Sequence, residues 1–263
     1  MAKASAFRDG LLLAVGTLTT LRVPPPATVD QSTARVAMLA APIATIPLAA
    51  SAALLAWLGS DVLELNARVV GFMVVGCLAL GTRALHLDGL ADVADALTAS
   101  HDHERSLAVM KDPSVGPAGA VALILVLGLQ ASAIASLATL DHGWAIVAFV
   151  ICASRSALTI GCTTVVPSAR DTGLGAALAR SVPVPAALLV IAIVAATAWP
   201  VYDWIGLDAW RGPVAVAAGL IAAALVLAHA VRRVGGMTGD VLGASVEICL
   251  ATTLAVSTAT FLA

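Results

Sequence analysis

Seven stretches of the chain, at about 35–58, 67–87, 117–140, 144–166, 184–202, 212–231 and 241–262, are apolar almost throughout. A helix that crosses a bilayer needs about 20 such residues. In hydrocarbon every backbone N–H and C=O must find a partner inside the protein, so runs of this kind are confined to helices or a closed barrel. They are too long for barrel strands and lack strand alternation, which leaves helices. Ala, Val, Leu and Gly dominate, and small residues let helix backbones approach closely in lipid. Of the 263 residues, 60% are hydrophobic and 11% charged, where soluble domains carry about 25% charged residues. Mean hydropathy is +0.99. The expectation is all-α: one polytopic transmembrane helical bundle over residues 1–263, with about seven spanning helices and no soluble appendage.

The N-terminal segment carries Lys3 and Arg8 before an apolar stretch, as a signal peptide would. No small-x-small cleavage site follows; Arg22 and the P-P-P at 24–26 come instead. Phe7, Leu11, Ala14, Leu18 and Leu21 recur at helical spacing, so a retained helix is expected, interfacial or partly inserted. The net charge of −2 offers nucleic acid no basic surface. Cys77, Cys152, Cys162 and Cys249 each stand alone in apolar runs, which supports neither zinc nor disulfides.

When the loops are assigned alternately to two sides, one side receives Lys3, Arg8, Arg22, Arg35, Arg105, Lys111, Arg170, Arg180, Arg232 and Arg233. The other receives Arg68 and Arg211. Positive charge stays inside, so the N-terminus and the basic loops are expected in the cytoplasm. Trp57, Trp144, Trp199, Trp204 and Trp210 all fall near the opposite helix ends, as an interfacial belt would.

Against that polarity stands an acidic segment. Residues 83–97 read R-A-L-H-L-D-G-L-A-D-V-A-D-A-L, and the loop 88–116 holds six acids against Arg105 and Lys111. On a helix Asp88, Asp92 and Asp95, spaced i, i+4, i+7, share an arc of about 60°. Like charges at that spacing repel by a few tenths of a kcal/mol per pair even in water. A divalent cation removes the repulsion, and carboxylates open to water and phosphate suit Mg²⁺. The alternative is a solvated acidic helix end.

Three further segments fall on the same side. M-K-D-P-S-V-G-P-A-G at 110–119 breaks the helix at Pro113, Gly116 and Pro117. It offers Lys111 to a phosphate and Asp112 as another possible metal ligand. A-R-D-T-G-L-G at 169–175 offers Arg170 and the amides of Gly173 and Gly175. R-R-V-G-G-M-T-G-D-V-L-G at 232–243 offers Gly235, Gly236 and Asp240. Glycine turns before a helix can aim N–H groups at an anion, and they also serve plain tight turns. Arg155 lies near the middle of its run, where a lone charge costs at least about 2.5–3.5 kcal/mol. It must meet a partner, of which Glu247 is a candidate, or a diphosphate at the floor of a polar cavity. His86, His101 and His103 lie near the acids, and by helical phase His86 points away from them.

In this order and at these distances, H-L-D-G-L-A-D-V-A-D, M-K-D-x-x-x-G, A-R-D-T-G-L-G and G-G-M-T-G-D-V-L-G resemble the cobalamin synthases, the adenosylcobinamide-GDP ribazoletransferases. The resemblance runs over nearly the whole chain. Two positions depart from the family pattern, Ala96 after the third Asp and Pro117 after Gly116.

The resemblance implies a Mg²⁺-dependent transferase of the cytoplasmic (inner) membrane, with its active site facing the cytoplasm. It would transfer the adenosylcobinamide phosphoryl group from adenosylcobinamide-GDP to α-ribazole or its 5′-phosphate and release GMP. Asp88, Asp92, Asp95 and Asp240 would hold metal. Lys111 and Asp112 would join Asp88, Asp92 and Asp95 in catalysis, and Arg155, Arg170, Gly173, Gly175, Gly235, Gly236 and Asp240 would bind substrate. A homo-oligomer is possible on this reading. Other membrane enzymes of diphosphates fit less well. Aromatic prenyltransferases carry two aspartate-rich motifs on separate helices, and the CDP-alcohol phosphotransferase motif is incomplete here. A transporter would place its carboxylates near mid-bilayer on several helices.

Overall fold

The computed structural model describes residues 2–99, 102–112 and 114–259. Helix α1 (Ala2–Leu18) packs along α2 (Gln31–Ala44). They cross closely at Gly10, where a Cβ would run into the side chain of Val36. Asp30 opens α2 by accepting the Thr33 N–H at 2.8 Å, satisfying one of the N–H groups that a helix start leaves free. After Thr45 the chain continues as α3 (Ile46–Trp57), with Pro47 in its first turn, and ends in a π-helical turn at Leu58–Val62. Together these form one apolar span, Gln31–Val62.

Helix α4 (Ala67–Gly81) turns by 92° into α5 (Leu85–Ala99). A short α6 (His103–Val109) leads to the span α7 (Pro117–Leu137). Next, α8 (Trp144–Ser154) and α9 (Ser156–Gly161) form one span broken at Arg155. A loop with the five-residue α10 (Leu174–Leu178) precedes α11 (Val184–Trp204), α12 (Arg211–Val234) and α13 (Gly239–Ser257). Among the described residues six helices are long and apolar enough to span, or seven if α4–α5 is one bent span. The structure therefore has the all-α, multi-pass architecture that the apolar runs predict. The difference lies in the second run, which continues only to Gly81 before the chain turns aside.

Burial orders the bundle. The most apolar window of α13 is 67% buried within the protein and that of α11 only 17%, so α13 is central and α11 peripheral. α13 packs on α5, α7, α8, α9 and α12. Where α12 crosses it, Gly219 lies directly against Thr253 and the Cys249 carbonyl. Trp57, Trp199, Trp204 and Trp210 lie exposed at or near the helix ends remote from α5. Trp144 departs from the expected belt. It meets Trp204 edge-on at 6.1 Å, and its indole N–H is enclosed.

Candidate functional site

The corner before α5 is built from strained backbone. Arg83 and Ala84 both have φ of 56°, a region that costs non-glycine residues about 1–2 kcal/mol each. Contacts from α1 and the segment just after it hold it: the Arg83 guanidinium donates to Gly16 O at 2.8 Å, and the Thr20 N–H donates to Gly81 O at 2.8 Å. The corner sends α5 across the end of the bundle, with Asp88 exposed and Asp92 and Asp95 half-buried.

Helix α5 lies almost backbone to backbone on the start of α13. A Cβ on Gly89 would sit 2.6 Å from Asp240 O and 2.8 Å from Asp240 Cα, and one on Gly243 would sit 3.1 Å from His86 Cα. Only glycines permit this approach, and it brings Asp240 beside the α5 stripe. The Thr238 hydroxyl caps α13 by accepting the Val241 N–H at 3.2 Å, and lies 3.1 Å from Asp240 Oδ2. Thr238 was not among the expected site residues, although T-G-D before an apolar run carries the signature of a helix cap.

The segment bearing Arg170 is stitched to the same place. Met237 N–H donates to Pro167 O at 2.8 Å and Ala169 N–H to Met237 O at 3.0 Å. Gly236 lies directly against the backbone of Ser168 and Ala169, and a Cβ on Gly175 would sit 3.0 Å from Thr238 Cα. Gly235 ends α12 at φ 80° with the His103 ring packed on it. Three of the four predicted anion-binding glycines thus serve close chain packing. Gly173, at φ 94°, alone faces open space. Arg170 donates to Leu107 O at 3.2 Å and keeps an enclosed Nε–H without a partner among the described residues.

Asp95 is engaged differently from its neighbours. Its carboxylate accepts the N–H groups of Gly116 at 2.7 Å and Gly119 at 2.8 Å, so it closes the start of α7 from another helix. Asp95→Ala will strand both donors, and a melting experiment will show a loss of about 1–3 kcal/mol. Asp112, exposed beside Lys111, accepts the Ser114 hydroxyl at 2.6 Å and the Ser114 N–H at 2.9 Å, bonds that hold its carboxyl below the usual range. Pro113 and His101 lie outside the described residues. Arg155 is apart from the surface cluster, in the packed interior and 1% exposed.

The cluster is electrostatically unfavourable without a counter-charge. Partial burial, then the charges of Asp88, Asp240 and Asp95, push the Asp92 carboxyl up to about 6, against the pull of Arg170. Among the described residues no three His, Cys, Asp or Glu side chains form a ready-made metal cage. Mg²⁺ rarely uses one: it keeps several waters and takes one or two carboxylates plus substrate phosphate oxygens. Oxygen-only donors, mutual repulsion and a water-exposed side fit that ion.

Residues 10–258 match the cobalamin-5-phosphate synthase family. A protein of Nocardioides sp. named adenosylcobinamide-GDP ribazoletransferase is 46% identical over 94% of this chain and 97% of its own. Proteins of the same name from Allorhizobium ampelinum and Frankia casuarinae are 33% and 38% identical, covering 95% and 72% of this chain and 96% and 69% of theirs. No solved structure matches. The family match spans the charged end of the bundle and nearly all of the helices beneath it, and the chain belongs to the cobalamin-5-phosphate synthase family.

Proposed function

We propose that this chain is an adenosylcobinamide-GDP ribazoletransferase of cobalamin biosynthesis. It joins α-ribazole, or its 5′-phosphate, to the adenosylcobinamide phosphoryl group and releases GMP. The observation that carries the site assignment is the convergence of Asp88, Asp92, Asp240 and Arg170 at one end of the bundle, where partial burial and then its acidic neighbours push Asp92 up.

The reaction is substitution at a diphosphate phosphorus by a ribose hydroxyl. The new O–P bond forms as the bond to GMP breaks, and the hydroxyl proton is lost. Such chemistry needs charge neutralisation and in-line placement rather than a covalent enzyme intermediate. Asp88, Asp92 and Asp240 would hold Mg²⁺, which when bound neutralises diphosphate oxygens and the departing phosphate. Arg170, pinned through Leu107 O, presents a fixed positive charge beside the acids. Lys111, exposed beside Asp112, would supply another. Asp95 holds the start of α7 to α5 through Gly116 and Gly119, and so acts on the reaction by placement.

The ten-to-two distribution of basic residues supports a cytoplasmic location for this end of the bundle, in an inner-membrane protein. The direct test is purified protein in detergent with adenosylcobinamide-GDP, α-ribazole and Mg²⁺. GMP should appear only when all three are present, and its absence from the complete mixture would overturn the assignment.

A pH dependence follows from Asp92. A carboxyl raised to about 6 is protonated below that pH and then competes with the cation. The Mg²⁺ concentration for half-maximal GMP release should therefore be steady above pH 7 and rise about tenfold by pH 5. A requirement that stays flat from pH 5 to 7 would remove Asp92 from the ligand set.

A further inference from the structure

Beneath the carboxylates, four polar side chains from four helical elements meet inside the bundle. Arg155 is 1% exposed, Gln130 1%, His86 3% and Glu247 5%. Arg155 sits at the break between α8 and α9 and donates through Nη1 to Ile151 O at 2.9 Å and to the Ser154 hydroxyl at 2.8 Å. Its Nε–H has no partner among the described residues. Gln130 donates to Glu247 Oε2 at 2.7 Å. Glu247 Oε1 lies 3.9 Å from His86 Nδ1, too far for a hydrogen bond. Arg155, Glu247, Gln130 and Thr82 line one cavity of ≈ 10 Å³. That is about the least space that admits a water, and its polar walls offer the two to four partners a buried water requires.

We propose that Arg155 and Glu247 form a water-bridged ion pair in the membrane interior, and that this pair fixes α5 against α13 beneath the catalytic carboxylates. Opposite charges this deep must neutralise each other, and the cavity is too small for a phosphate, so Arg155 serves the pair and not the substrate. The register links the pair to the site. Glu247 follows Asp240 by seven residues, and His86 precedes Asp88 by two. Between the two levels, Gly243 packs on the backbone of His86 and Gly89 on that of Asp240. A shift of the buried pair is thus passed to both helices that carry the carboxylates. Arg155 and Glu247 are positioning residues.

The test is a double-mutant cycle of Arg155→Met, Glu247→Gln and the double variant. Its first readout is the Tm without Mg²⁺ or substrates. Each single variant should lower it by about 5–10 °C by stranding a buried charge, and the neutral double variant should lose less than either. Losses that simply add would overturn the pair. The second readout is the Mg²⁺ requirement for GMP release; this one rests on the metal reading above, and the first does not. The singles should need about tenfold more Mg²⁺, with turnover at saturating Mg²⁺ within about threefold of the parent, and the double should revert. Coupled Tm values with an unmoved Mg²⁺ requirement would overturn the positioning role. So would a raised KM for adenosylcobinamide-GDP in Arg155→Met at unchanged Tm. Gln130→Met removes only the amide that holds Glu247, and should move both readouts in the same direction by less. A failed metal reading would be recognised separately, by full activity without any divalent cation.

Discussion

Asp88→Ala will lower GMP release by a factor of about 10³ or more while the protein inserts, purifies and melts as the parent does. The magnitude is that of removing a group acting on charge developed in a phosphoryl-transfer transition state. The unchanged stability follows from the structure. Asp88 is exposed, and among the described residues its carboxylate accepts no hydrogen bond from any helix end or loop, so its loss should fall within about 0.5 kcal/mol. The change also removes one of the charges that hold Asp92 up, so the Asp92 carboxyl should titrate lower in the variant. Asp95→Ala, by contrast, should lose stability, because its carboxylate anchors two backbone donors of α7. Activity and melting measured on the same preparations separate the two aspartates. Full activity in Asp88→Ala would remove it from the site.

Gly89→Val will damage stability and activity together. Its Cβ would lie 2.6–3.1 Å from three backbone atoms of Asp240, and backbone in the first turn of a buried helix cannot swing aside as a side chain can. α5 and α13 must separate, at a cost of about 1–3 kcal/mol or more. Asp240 moves away from Asp88 and Asp92 by the same displacement, and misplacement by about 1 Å can cost 10²-fold in rate. Gly128→Val is the control. It lies on α7, where an added Cβ meets nothing within 4 Å, and should change neither Tm nor GMP release. Equal effects at Gly89 and Gly128 would mean that close contact of α5 with α13 is not what places the site.

The spans were legible because lipid demands length and apolarity, and both are written residue by residue. The acid stripe was legible because i, i+4, i+7 spacing is local. The turn between α4 and α5 was not. Residues 82–84 contain no glycine or proline, and the left-handed Arg83 and Ala84 are stabilised by Gly16 O and Thr20 N–H, more than 60 positions away. The use of Asp95 was hidden for a related reason. Its partners are backbone amides, and the only sign at 116 and 119 is glycine, where a Cβ would run into the Asp95 carboxylate. The glycine turns were visible, but whether a glycine admits an anion or a neighbouring backbone depends on what the fold lays against it. For Gly175, Gly235 and Gly236 that is chain, not open space. Glu247 was recognisable as a partner for Arg155; Gln130, a lone amide in an apolar run, was the available sign of a third member.

On the proposed reading, carboxylates of α5 and the start of α13 share one divalent cation at the end of the bundle. Anomalous diffraction from crystals of the protein soaked in Mn²⁺, which substitutes for Mg²⁺ at oxygen sites, tests this most directly. A single strong peak among Asp88, Asp92 and Asp240, lost in Asp92→Asn, is the predicted result. A peak elsewhere, or none at this cluster under Mn²⁺ concentrations that support GMP release, would contradict it.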